Sequence, residues 1–132
     1  MTFDATEAIY LEGINPDDLD LVDSYQYTSD FEQNIEGEVH QNQQCDMYYD
    51  YRNNVALYLQ FQEYFRNSQV PLFALWVKND PAFVPAGAEA FKNDLPHARV
   101  EFLDAGHMAV ESKLIEIASR VLKFLEDVGY GK

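Results

Sequence analysis

Read along the chain, the hydrophobic and polar positions change character near Gln69-Val70-Pro71. After that point short apolar runs alternate with amphipathic stretches. Residues 71–77, Pro-Leu-Phe-Ala-Leu-Trp-Val, are almost wholly apolar and predict a strand covered on both faces, as in a parallel sheet. Lys78-Asn79-Asp80-Pro81 ends it. A helix is expected from about Pro85, with Ala88, Phe91 and Leu95 at i, i+3 and i+7. Residues 99–103 alternate and predict a second strand, and Asp104-Ala105-Gly106-His107 makes a tight turn. A last helix starts near Ser112. Leu114, Ile117, Ala118, Val121 and Leu125 form its apolar stripe, and Gly129 is its stop. Strand, helix, strand, helix implies a right-handed parallel crossover. Two such strands need neighbours, and the chain offers no other convincing core strand, so part of a sheet is missing.

The front half is polar, acidic and aromatic, and reads as short helices joined by loops. Asn15-Pro16-Asp17-Asp18 is a helix start, because Asn15 can cap, Pro16 suits the first helical position and the acids favour the positive end of the dipole. Residues 32–44 are rich in Gln, Asn and Glu without periodicity and read as an exposed loop. Residues 48–57 read as a helix or a broken helix. Phe61, Tyr64 and Phe65 share one helical face, which the pattern rule assigns to core packing.

Composition narrows the functions. With 132 residues, 47% of them hydrophobic, the chain is long and apolar enough for one folded domain. Its formal charge of -14 disfavours a nucleic-acid partner and an anionic membrane surface. The sequence shows no membrane-spanning run and no signal-peptide pattern at its start. One cysteine, Cys45, cannot form an internal disulfide, so a reducing, cytoplasmic home is expected. His40, His97 and His107 lack metal-ligand spacing, and Asp17, Asp18, Asp20 and Asp23 do not match a calcium loop, so neither a metal nor a cofactor is expected. The four aspartates read as a solvated acidic face.

The chemistry converges on two residues. In open parallel sheets, ligands sit beyond the carboxyl ends of the strands. Asp80 follows the first strand and His107 the second. Strands that are parallel and adjacent bring both to one edge, where a carboxylate can accept a hydrogen bond from one imidazole nitrogen, fix the tautomer and stabilise an imidazolium. A turn aspartate and a satisfied surface histidine are the plainer alternative. The matched placement after two consecutive strands favours a catalytic or formerly catalytic pair.

Leu75-Trp76-Val77-Lys78-Asn79-Asp80-Pro81-Ala82-Phe83, then Pro85-Ala86-Gly87-Ala88-Glu89-Ala90-Phe91, Asp94-Leu95-Pro96 and Phe102-Leu103-Asp104-Ala105-Gly106-His107-Met108-Ala109-Val110-Glu111 together resemble the C-terminal part of α/β-hydrolases. They are most similar to the epoxide hydrolase and haloalkane dehalogenase-like branch, in which W-G-K-N-D-P-x-F supplies the acid and L-D-x-G-H-F-A-L-E the histidine. The resemblance extends back through Asp50-Tyr51-Arg52-Asn53-Asn54-Val55-Ala56-Leu57-Tyr58 to Phe61-Gln62-Glu63-Tyr64-Phe65-Arg66, and covers the chain from about Asp46 onward. It implies an α/β fold: a helical cap or lid-like segment, residues 1–69, followed by a C-terminal core segment, residues 70–132, holding the last two parallel strands and helices of an incomplete sheet. It also implies nucleophilic hydrolysis of a small-molecule substrate in intact relatives, with Asp80 orienting His107. Phe83, Met108 and the tyrosines Tyr48, Tyr49 and Tyr51 line an apolar pocket or pack in the core.

The departures matter. Val77 and Met108 stand where the pattern has Gly and Phe. More importantly, no pair of glycines has the spacing of a G-x-S-x-G elbow, and the HG-type oxyanion loop is absent. Ser68, Ser112, Ser119 and Cys45 are not on such a turn. The chain therefore reads as a partial hydrolase that is inactive alone, its partner being the missing N-terminal hydrolase part. The alternative is a non-catalytic acidic binding or regulatory module derived from a hydrolase.

Overall fold

The computed structural model describes residues 2–130. In chain order these form α1 (Phe3–Leu11), a 3-10 helix (Pro16–Leu21), α2 (Ser24–Asp30), a π-helix (Phe31–Ile35), α3 (Glu38–Asp50), α4 (Arg52–Val55) and α5 (Tyr58–Ser68). Next come β1 (Phe73–Val77), α6 (Pro85–Glu89), a 3-10 helix (Ala90–Asn93), β2 (Arg99–Leu103), α7 (Ala109–Ser112) and α8 (Leu114–Asp127).

β1 and β2 pair in parallel, from Phe73 opposite Arg99 to Val77 opposite Leu103. They form a two-stranded sheet. Side chains alternate across the strands. Phe73, Leu75 and Val77 face α8, where Phe73 meets Phe124 at 5.3 Å between ring centroids and Ile117 packs beside Leu75, Val77 and Leu103. Trp76 faces α6 and approaches Gly87. A lattice of ions holds α8 to the sheet: Glu101 accepts from Arg99 at 2.5 Å and from Arg120 at 2.8 Å. Those guanidiniums, Arg99 first, hold the Glu101 carboxyl below its ordinary range despite its partial burial.

The front half has its own aromatic cluster. Phe3 of α1 meets Tyr27 of α2 at 5.9 Å and Phe31 edge-on at 5.7 Å. Asn15 caps Pro16–Leu21 by accepting from Asp17 N, but the helix it starts is 3-10 rather than α. Two of the four early aspartates are engaged rather than simply solvated. Asp18 pairs with Lys113, and Asp23 accepts from Tyr25 N to cap α2.

Three expectations need correction. Residues 32–44 are helical rather than a loop, running from the π-helix through a bend at Glu36 and Gly37 into α3. α3 buries no residue, so its sequence carries no amphipathic stripe to read. Phe61 and Tyr64 do not pack in a core: they are 47% and 59% exposed, and of the three aromatics on that face of α5 only Phe65 finds a ring partner outside its helix, Phe91. Leu114 and Val121 of the α8 stripe are likewise exposed.

The core is thin. Of the ten buried hydrophobic residues described, Ala74, Ala88, Ala98, Ala105 and Ala109 are alanines. The accessible surface is 9289 Å², against about 7,100 Å² for a compact monomer of this mass. The excess is the physical mark of a sheet with uncovered edges and faces.

Candidate active site

Asp80 and His107 meet at the carboxyl edge of the two strands. The pairing continues past the strand ends, with Lys78 N donating to Leu103 O at 3.0 Å and Asn79 N to Ala105 O at 3.2 Å. The Asn79 side chain also donates to Asp104 Oδ1. The two loops are thereby zipped together, and the next side chains out are those of Asp80 and His107. Asp80 Oδ2 lies 2.9 Å from His107 Nδ1.

The other Asp80 oxygen is committed to its own loop. Oδ1 accepts from Ala82 N at 2.8 Å and Phe83 N at 2.9 Å, a turn that an aspartate closes on its own backbone. The Asp80 side chain is 4% exposed and that of His107 28%. Burial alone would raise the Asp80 carboxyl. The Phe83 N–H, the His107 ring and the Ala82 N–H outweigh it and hold the group below its ordinary value. An ionised acid against Nδ1 keeps a proton there and leaves Nε2 as the basic nitrogen.

Further contacts hold the imidazole. The Phe83 ring stacks on it at 5.8 Å and 14°. Phe83 is itself hooked from both sides, its N–H by Asp80 and its carbonyl by Trp76 Nε1 at 2.6 Å. The His107 backbone N–H donates to Glu12 O at 3.1 Å. Residues 12–14 run as a strap across the two site loops, against Gly106 on one side and Asn79 on the other.

His107 and Met108 form one wall of a cavity of about 440 Å³. α1, α2, the π-helix and α3 supply the rest of it, including Ile9, Tyr10, Asp30 and Cys45. Tyr51 and Phe83 lie in a different groove, with Trp76, Tyr58 and Phe65. Tyr51 hydrogen-bonds Tyr58 there, hydroxyl to hydroxyl, at 2.7 Å. So Met108 shares the cavity with His107, Phe83 touches His107 from the neighbouring groove, and Tyr51 is apart from both.

Reading the sequence missed the Glu12 carbonyl, the Trp76 hook and the Tyr10–Asp30 pair. Only Trp76 carried any usable signal, because an indole N–H taken out of water usually finds a hydrogen-bond acceptor. No described serine or cysteine sits on a strand-to-helix elbow. Cys45 is on α3, and Ser112 Oγ donates to Met108 O. Among the described residues no group of three or more His, Cys, Asp and Glu side chains could hold a metal ion, and no helix is long and apolar enough to cross a membrane.

Comparison with known proteins gives this geometry a context. An uncharacterized hydrolase of Saccharomyces cerevisiae is 36% identical over 84 residues, which are 64% of this chain and 29% of the yeast protein. The matched stretch thus spans under a third of that relative's length. No solved structure matches significantly. Residues 7–114 match the family model of the alpha/beta hydrolase fold, strands, site loops and the front helices included. The chain therefore belongs to the alpha/beta hydrolase fold family.

Proposed function

We propose that this chain supplies the acid and the histidine of a hydrolytic triad, and that the nucleophile comes from the N-terminal hydrolase part to which it is complementary. The observation that carries the reading is the 2.9 Å bond from Asp80 to His107 at the carboxyl edge of two adjacent parallel strands. In this reading residues 1–69 are the cap or lid-like segment and residues 70–132 the C-terminal core segment. His107 takes a proton through Nε2 from an attacking water, or from a serine where the nucleophile is serine, and Asp80 holds the ring and balances the imidazolium. The loops around Asp80 and His107 support the epoxide hydrolase and haloalkane dehalogenase-like branch within the same proposal. Met108 is the substrate-side neighbour of His107, and Phe83 backs the ring from the neighbouring groove. Without an elbow the chain alone is inactive.

The test is a chimera in which this chain replaces the matched stretch of the yeast hydrolase. It should turn over an ester, an epoxide or a haloalkane, while the chain alone gives background. His107→Ala should lower the chimera's kcat by about a thousandfold or more. A chimera equally active with alanine at position 107, or turnover by the chain alone, would overturn the proposal.

A further inference from the structure

The cavity over His107 has a one-sided electrostatic lining. Among the lining residues Asp30 is the one carboxylate, neither lysine nor arginine is among them, and the His107 ring is already paired with Asp80. Its carboxylate is built in rather than free. Tyr10 Oη donates to Oδ2 at 2.8 Å and Asn34 Nδ2 to Oδ1 at 2.7 Å. The Tyr10 hydroxyl is pushed up to about 12, by burial first and then by Asp30 and Glu111, so it keeps its proton and gives it to Asp30. The Thr6 hydroxyl is also spent as a donor, on Thr2 O. A ligand in the cavity therefore meets acceptor lone pairs on Tyr10 and Asp30, apolar surface from Ile9 and Met108, and the uncharged polar groups of Gln41, Gln44 and Tyr48.

We infer that this cavity takes uncharged or cationic organic molecules bearing a hydrogen-bond donor and excludes anions, with Asp30 setting the discrimination. The inference rests on the hydrolase reading only in calling the occupant a substrate. A carboxylate or phosphate in the cavity would face Asp30 with neither lysine nor arginine there to balance the two like charges. An alcohol, amide or ammonium group would instead find the acceptors it needs.

The test uses the chain itself and three molecules of one shape: benzyl alcohol, benzylamine and benzoate. Each is titrated while the Met108 methyl resonance is followed. Benzylamine should bind at least as tightly as benzyl alcohol, and benzoate at least about tenfold more weakly. Asp30→Asn keeps an acceptor for Tyr10 and should cut the alcohol-to-benzoate ratio to below about threefold. Asp20→Asn removes the same unit of charge from an exposed position outside the cavity and should leave the ratio unchanged. Three results overturn the inference: benzoate binding comparable to the alcohol, a ratio that Asp20→Asn narrows as much as Asp30→Asn does, or no saturable shift at Met108 from any of the three. None of these touches the chimera's dependence on His107, so the two readings fail separately.

Discussion

Gly106 and Glu12 sit so close that a Cβ on Gly106 would lie closer than 3.0 Å to the Glu12 carbonyl oxygen, and as close to the backbone of Gly13 and Ile14. That same carbonyl accepts the His107 backbone N–H. The absence of a side chain at Gly106 is thus what lets the front half reach the His107 turn and hold it.

Gly106→Ala should therefore lift the strap, destabilising the fold by about 2–3 kcal/mol and loosening His107 from Asp80. Gly13→Ala should cost at least as much, because a Cβ there would strike Asn79 O and Gly13 has φ +72°. Gly37 has φ +87° and ψ 155°, a backbone region essentially confined to glycine, but open space around it, so Gly37→Ala should cost the backbone strain alone, about 1–3 kcal/mol. Urea melts of the three variants give the order. A Gly106→Ala chain as stable as the parent would refute the close approach.

Asp80 does two jobs with two oxygens, and substitutions can separate them. Asparagine can still accept from Ala82 and Phe83, but it turns an N–H toward His107 Nδ1. Asp80→Asn should leave stability within about 1 kcal/mol of the parent and move the ring proton to Nε2, which ¹⁵N shifts of His107 would report. Asp80→Ala abandons both backbone donors and should cost about 3 kcal/mol. An unchanged tautomer in the Asn variant would mean that Asp80 does not orient the ring.

Acid should weaken the fold through the same group. The Asp80 carboxyl lies below its ordinary value of 3.8 when folded. A depressed folded value means that the stability it contributes is fully present above the unfolded value and drains away as pH falls through the folded one. Glu101, depressed by Arg99 and Arg120, adds to the same window. Denaturation free energy measured downward from pH 6 should fall most steeply below about pH 4. Asp80→Asn should flatten that fall, and an equally steep fall in the variant would assign the acid sensitivity elsewhere.

The sheet and the Asp80–His107 pair were legible because their signals are local. An apolar run ended by Asn79-Asp80-Pro81 and an alternating run ended by Ala105-Gly106 give strands, and parallel pairing then puts both turns at one edge. α3 was not legible, since Glu38–Asp50 buries no face and periodicity records burial. Phe61, Tyr64 and Leu114 show the converse limit. Spacing reveals that a helix has an apolar face, but whether anything covers it depends on the rest of the fold. The Glu12 contact left no trace because a backbone carbonyl is the same in every residue.

Those uncovered faces lead to the last expectation. Ile115 is 82% exposed, Leu122 60% and Leu114 56%, so α8 presents an apolar stripe away from the sheet it covers. Among the described residues β1 and β2 pair only with each other, which leaves the outer edge of each without a backbone partner. Open edges template pairing and contiguous apolar surface drives association. The charge of -14 opposes both, but it acts at long range and is screened by salt, whereas apolar contact is not. The purified chain should therefore self-associate in sedimentation velocity, more strongly in 0.5 M than in 0.05 M salt by about tenfold in Kd, with a broad melt and dye binding. Ile115→Lys combined with Leu122→Lys should weaken the association by a similar factor without disturbing the Asp80–His107 bond, because both side chains are mostly exposed. A monomer at both salt concentrations, melting sharply and binding no dye, would show that the chain satisfies its own surfaces, and would favour a self-sufficient binding module over a partner for a missing hydrolase part.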